Sequence, residues 1–193
     1  MDNEQLPYLT KNTIDDSVLK QQWENIVTNM NETIKGYGRN NGVQLGTTLV
    51  AMLITDDRYY IMNVGDSRAY EVSDNLYQLT KDQTFIEREI EQGRMTREEA
   101  MNDSRKSVLL QCIGASDYVY PEMFFGQTKK DAVYFLCSDG FRHVISPEEI
   151  YSKLNASVLF SEEDMRNNAT QLIELNKQRM EKDNISIAMV RTY

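Results

Sequence analysis

One histidine, two cysteines and no run of basic residues are the main shortages of this 193-residue chain, and each removes a class of function. The single histidine, His143, excludes a His-rich zinc site. A lone histidine is more often structural than catalytic, so His143 receives no role. Cys112 and Cys137 both lie inside apolar, strand-like runs. Buried reduced thiols are the expectation there rather than a disulfide, which points to a reducing, cytoplasmic compartment. No apolar run is long enough to span a bilayer and no signal-peptide pattern is present, so no membrane partner is expected. Lys and Arg number 21 against 30 Asp and Glu, a formal charge of -9. Without a basic run to offset that charge a phosphate-backbone partner is disfavoured, and no nucleic-acid partner is expected. Repeats and low-complexity tracts are absent too.

What is present reads as an ordinary folded chain. A hydrophobic fraction of 40% and a charged fraction of 26% argue against wholesale disorder. The length suits one well-buried domain and is short for two. Residues 1–14 are polar, carry Pro7 and show no period, so they read as a leader before a single domain over 15–193. From Asp16 the apolar positions Leu19, Trp23, Ile26, Val27, Met30 and Ile34 recur at helical steps. Asp15 or Asp16 is the expected N-cap, the Gly36 to Gly42 stretch the expected end, and Trp23 a core residue.

The texture then changes to strands. Thr47–Thr55 and Arg58–Val64 flank the turn pair Asp56-Asp57 and predict a hairpin. A second pair is expected at Ala69–Val72 and Leu76–Leu79. Between Gln83 and Asp103 the pattern is helical, with a capping box at Thr96 to Glu99. Val108–Ile113, Tyr118–Phe125 and Ala132–Cys137 read as three further strands. Ser146-Pro147-Glu148-Glu149 and Ser161 to Asp164 open two more helices, and Ile185–Arg191 closes the chain as a strand. Strands in runs joined by short turns, with helices segregated between them, predict an α+β fold of antiparallel sheets flanked by helices.

Three aspartates carry the chemistry. Asp66 follows a strand in Asn-Val-Gly-Asp-Ser-Arg-Ala-Tyr, Asp139 follows one in Leu-Cys-Ser-Asp-Gly, and Asp183 precedes one in Lys-Asp-Asn-Ile-Ser-Ile. Singly, each is more simply a turn residue. Together they repeat one arrangement, a carboxylate at a strand end, where oxygen ligands can hold a hard divalent cation with water still attached.

These segments, in their order and spacing, resemble the metal-dependent protein phosphatases, the PPM or PP2C-type serine/threonine phosphatases, and in particular their compact bacterial members. The resemblance runs from about Leu45 to Arg191. It rests on Gly46-Thr47-Thr48-Leu49, Asn63 to Ala69, Gln78-Leu79-Thr80-Lys81-Asp82, Glu91 to Thr96 with Glu98-Glu99-Ala100, Leu136 to Gly140 and Asp183-Asn184-Ile185-Ser186. It implies a sandwich of two antiparallel β-sheets flanked by helices, with Mn²⁺ or Mg²⁺ at one edge. It also implies attack of a metal-activated water on phosphoserine or phosphothreonine in a protein substrate. By the same resemblance Asp139 and Asp183 hold metal of the core pair, and Asp66 with Asp139 holds a third, weaker metal. Asp82 sits in the following loop, where the family often has Asp-His and this chain has Asp82-Gln83. Bacterial members often oppose a serine/threonine kinase, which makes such a kinase an expected partner.

One departure qualifies the expectation. The family's early strands carry an arginine that grips phosphate and an Ala-Asp-Gly-Met-Gly-Gly run whose aspartate bridges both metals. Residues 1–44 hold neither motif, and no Asp-Gly precedes Asp139. Without the bridging carboxylate, repulsion between two close cations is less offset. Weak, single-metal binding and little or no catalysis by this chain alone are expected. Two readings follow: a phosphatase domain whose N-terminal strands are missing from this chain, or a natural pseudophosphatase that binds phosphoproteins or a kinase. A metal-free structural domain would make the ordered motif set a coincidence. Missing strands also expose sheet edges, which predicts a homodimer.

Overall fold

The computed structural model describes residues 14–193, so most of the polar leader expected at 1–14 lies outside the described residues. Helix α1 (Asp16–Asn41) starts where Asp15 accepts the backbone N–H groups of Ser17 and Val18. It runs through Gly36 and Gly38 and stops only at Gly42, the far end of the stretch expected to end it. Its apolar stripe lies on a three-stranded antiparallel sheet of β1 (Leu49–Ile54), β2 (Arg58–Val64) and β5 (Glu122–Gln127), in the order β1-β2-β5. Val27 of the helix, with Met62, Val64 and Ile113, forms a buried cluster against which Trp23, Met30 and Ile34 pack. Asp16 and Arg58 pin the helix start to the hairpin end through two 3.0 Å hydrogen bonds.

The second sheet has the order β4-β3-β6-β7, with β3 (Arg68–Val72), β4 (Leu76–Gln78), β6 (Val133–Cys137) and β7 (Ile187–Arg191), all antiparallel. Its outer face carries Tyr70, Val72, Val133, Phe135 and Cys137. These pack against Ile150 and Leu154 of α4 (Pro147–Leu154) and Leu172 of α5 (Glu162–Gln178). Tyr70 stacks on Phe135 at 4.8 Å, and Phe141 meets Phe135 edge-on at 6.0 Å. Between the sheets, Tyr59 and Tyr134 lie 5.6 Å apart, and the Tyr134 hydroxyl donates to buried Glu71, which also meets Lys129 and the Ser73 hydroxyl. The sandwich of two antiparallel sheets with flanking helices is the expected architecture.

Some elements differ from the sequence expectation. Val108–Ile113 forms no strand; Leu109 and Ile113 each make one isolated bridge, to Thr84 and Thr47. That segment fastens the entrance of β1 to the start of α2 (Phe85–Glu91) instead of joining a sheet. The strand expected at Tyr118–Phe125 begins only at Glu122, because Pro121 has no N–H to give a ladder. The helical run at 83–103 divides into α2 and α3 (Arg97–Met101), the latter with the expected Thr96–Glu99 capping box. The last strand starts two residues late, at Ile187.

Register decides what this fold presents at one end. Cys137 pairs with both Arg68 and Ile187 across the second sheet. The turns that precede Arg68, follow Cys137 and precede Ile187 therefore emerge together, and those are the turns that carry Asp66, Asp139 and Asp183.

Candidate active site

Gly65 fixes how Asp66 leaves β2. Its φ of +101° is one that residues with a Cβ rarely adopt, and a Cβ there would sit 2.4 Å from Thr48 Cγ2. Thr48 in turn shares a 2.9 Å hydroxyl contact with Ser67, so the Gly-Thr-Thr and Gly-Asp-Ser segments hold each other. Gln83 completes the clamp: its side-chain oxygen accepts the Gly65 N–H at 2.8 Å and its amide nitrogen donates to the Asn63 carbonyl at 3.3 Å.

Asp139 begins a single 3₁₀ turn, Asp139–Phe141, directly after β6. One carboxylate oxygen accepts the Gly140 N–H at 2.8 Å, and the other faces His143 Nε2 at 3.4 Å. His143 Nδ1 lies 3.3 Å from Glu181, so the histidine spans two carboxylates. Gly140 is required by close approach: a Cβ would meet the Asn184 carbonyl at 2.6 Å and Asp183 Cβ at 3.0 Å. Ser138 stitches the same two segments, donating to Asn184 O and accepting from Ser186 N, both at 3.0 Å.

Asp66 and Asp139 line one cleft of about 540 Å³, together with Asp82, Lys106, Arg142, His143, Glu181 and Lys182. Asp183 does not line it. It is exposed beside Gly140, and its carboxylate accepts the Asn184 N–H at 2.7 Å. The structure thus lines the cleft with two of the three predicted ligands, and the third, Asp183, lies against Gly140 directly after the lining residues Glu181 and Lys182. Burial first, then the charges of Asp139 and Asp82, push the Asp66 carboxyl above its ordinary range, while Arg142 opposes them.

Two arginines missed at the sequence level organise the cleft floor. Arg68 forms a fork with Asp82, 2.7 Å to each carboxylate oxygen. Burial works against the Arg68 charge, but the bonds and charge of Asp82 together with Tyr70 outweigh it and hold its pKa above the ordinary value. Arg142 then adds a second cation, donating through Nη2 to Asp82 at 3.2 Å and to the Asp66 carbonyl at 3.1 Å. Nothing in the local sequence announces this, since Arg142 and Asp82 are 60 positions apart. The arginine of Gly-Asp-Ser-Arg, part of a motif already singled out, offered the one available signal.

Among the described residues, no three His, Cys, Asp or Glu side chains converge to hold a metal ion. The facing pair Asp66 and Asp139 fits at most one cation that keeps most of its waters, with an arginine already beside it. These residues do not fit a two-metal centre.

Comparison with known proteins places the fold. A family model described as protein phosphatase 2C matches residues 4–180. The chain is 32% identical over 146 residues to the serine/threonine protein phosphatase PstP of Mycobacterium tuberculosis, covering 75% of this chain and 27% of that one. It is 31% identical over 147 residues to the serine/threonine phosphatase stp of Listeria welshimeri, covering 76% of this chain and 56% of that one. Among solved structures it superposes on the Streptococcus agalactiae serine/threonine phosphatase with a TM-score of 0.82 at 26% identity, over 93% of this chain and 73% of that one. The catalytic domain of PstP in complex with two manganese ions matches with a TM-score of 0.68 at 28% identity, over 82% of this chain and 65% of that one. The chain belongs to the protein phosphatase 2C family, of the bacterial serine/threonine phosphatase type. It spans about a quarter to a little over half of the length of these two curated relatives. No described helix is long and apolar enough to cross a membrane.

Proposed function

We propose that this chain recognises phosphoserine- or phosphothreonine-bearing proteins at the Asp66–Asp139 cleft and, with these residues alone, hydrolyses them weakly or not at all. Family membership supports the substrate class. The observation that carries the weak turnover is the absence, among the described residues, of any three-ligand metal group around the two facing aspartates. In this reading Asp66 and Asp139, with Asp183 if its carboxylate turns away from Asn184, are the residues that meet Mn²⁺ or Mg²⁺. When bound, such an ion supplies a polarised water and neutralises phosphoryl charge. This chain's own residues do the rest: Gln83 and Gly65 set the direction of Asp66, Ser138 and Gly140 set that of Asp139, and Lys106 and Lys182 on the cleft wall meet a phosphate.

A regulatory role, holding a phosphoprotein or a serine/threonine kinase without turnover, is the second reading and is favoured by the same incomplete donor set. The test of recognition is fluorescence anisotropy with a phosphothreonine peptide and its unphosphorylated twin. Tighter binding of the phosphorylated peptide, weakened by Lys106→Ala with Lys182→Ala, is expected. Equal affinity for both peptides would remove the reading.

A further inference from the structure

We propose that Arg142 is a built-in cation that stands in for metal charge at this cleft and keeps divalent ions weakly bound. The inference rests on the reading above that the carboxylates form an incomplete metal centre, and it names what compensates them.

Three carboxylates, Asp66, Asp82 and Asp139, face the same cleft as the guanidinium of Arg142, and Arg68 holds Asp82 from behind. Three negative charges against two positive ones leave one net negative charge, and the other charges lining the cleft, Glu87 and Glu181 against Lys106 and Lys182, cancel. Removing Arg142 leaves two, which is the charge a divalent cation balances. Arg142 is well placed for this. It extends from the 3₁₀ turn that Asp139 begins, its side chain is only 15% exposed, and it reaches both Asp82 and the Asp66 backbone. The Asp66 carboxyl feels it as its opposing positive charge. Its Nε is buried without a partner. Asp82 does not depend on it for pairing, because Arg68 already takes both Asp82 oxygens at 2.7 Å. The second guanidinium is therefore surplus to that ion pair, and its field falls on Asp66 and the open cleft.

A fixed positive charge within a few ångströms of a divalent cation opposes its binding through the protein interior, where screening is weak. Neutralising Arg142 is then expected to tighten metal binding by about tenfold or more, an order-of-magnitude value for one unit charge near a partly solvated site.

The test is a Mn²⁺ titration of the full chain, read by calorimetry and by loss of the free-ion electron paramagnetic resonance signal. Arg142→Gln keeps donors for Asp82 and Asp66 and drops the charge, Arg142→Met drops both, and Arg142→Lys keeps the charge. Circular dichroism melts check that each variant is folded. Expected is weak binding by the native chain and Arg142→Lys, at least about tenfold tighter binding by Arg142→Gln and Arg142→Met, and loss of that gain when Asp66→Asn is added. Equal affinity in the native chain and Arg142→Gln overturns the proposal. So does the absence of binding by every variant at millimolar metal, because Arg142 would then not be what keeps the ion out. Manganese-dependent turnover by the native chain would instead sink the reading of weak hydrolysis, a different measurement with a separate outcome.

Discussion

Gln83 holds both backbone groups of Gly65: its side-chain oxygen accepts the Gly65 N–H at 2.8 Å, and its own N–H donates to the Gly65 carbonyl at 3.0 Å. The residue is 7% exposed, so water does not replace these bonds. Gln83→Ala leaves the buried Gly65 N–H unpaired, which costs about 1–3 kcal/mol. Urea unfolding measures the loss, and an unchanged midpoint would show that Gln83 does not fix the Asp66 turn.

Gly140 presses the Asp139 turn against the strand leading into β7. A methyl group there meets a backbone carbonyl rather than a flexible side chain, so the Asn184 segment has to move. Gly140→Ala is expected to destabilise the chain by about 1–3 kcal/mol, as overpacking does. It should also speed amide exchange at Ser186, whose N–H is held by Ser138. Unchanged exchange at Ser186 would contradict the contact.

Glu149 gives a pH signature distant from the cleft. Its carboxylate takes a fork from Arg179 at 2.6 and 2.7 Å and the Ser146 N–H at 2.8 Å, tying the end of α5 to the start of α4. The Arg179 hydrogen bonds first, then the Ser146 N–H, lower its pKa to about 2. The folded value lies below the unfolded one, so the stabilisation is present above the unfolded pKa and is lost as pH falls toward about 2. Thermal melts of Glu149→Gln should therefore lie below the native chain at neutral pH and converge with it in acid. A gap that persists at pH 2 would mean the ion pair is not its source.

The edge strand β1 reads Leu-Val-Ala-Met-Leu-Ile, with no charge, proline or bulge to guard it, and all six residues are only half-buried. At the edge of the other sheet, Ala188 and Val190 of β7 share the sheet face of Leu136 and Tyr134 yet are exposed. We expect self-association through these unguarded edges. Light scattering at rising concentration should give a dimer mass that Met52→Lys reduces to that of a monomer. A monomer at every concentration would contradict it.

The fold was legible because local signals and global layout agree: the capped helices, the hairpins and the ordered motifs all fall where the sheets need them. Val108–Ile113 misled because its β-branched and apolar composition reads as a strand, whereas Val108 and Leu110 are exposed and only Ile113 is buried, packed with Val27 of α1 without belonging to a strand. In the site, Asp66 and Asp139 were legible as motif residues, and register brings them together. Arg142, His143 and Glu181 were not, because their roles come from contacts such as Arg142 with Asp82 that no local pattern encodes. The contact of Asp183 with the Asp139 turn was equally hidden, since it depends on how tightly Gly140 lets two turns approach.

Turnover tests the central claim most directly. The measurement is phosphate release from a phosphothreonine peptide by the native chain, with and without Mn²⁺, beside an Asp139→Asn control. The expected result is release at or barely above that control at saturating metal. Robust release that requires Mn²⁺ and vanishes in Asp139→Asn would contradict the account, because it would mean these residues do assemble a working metal centre.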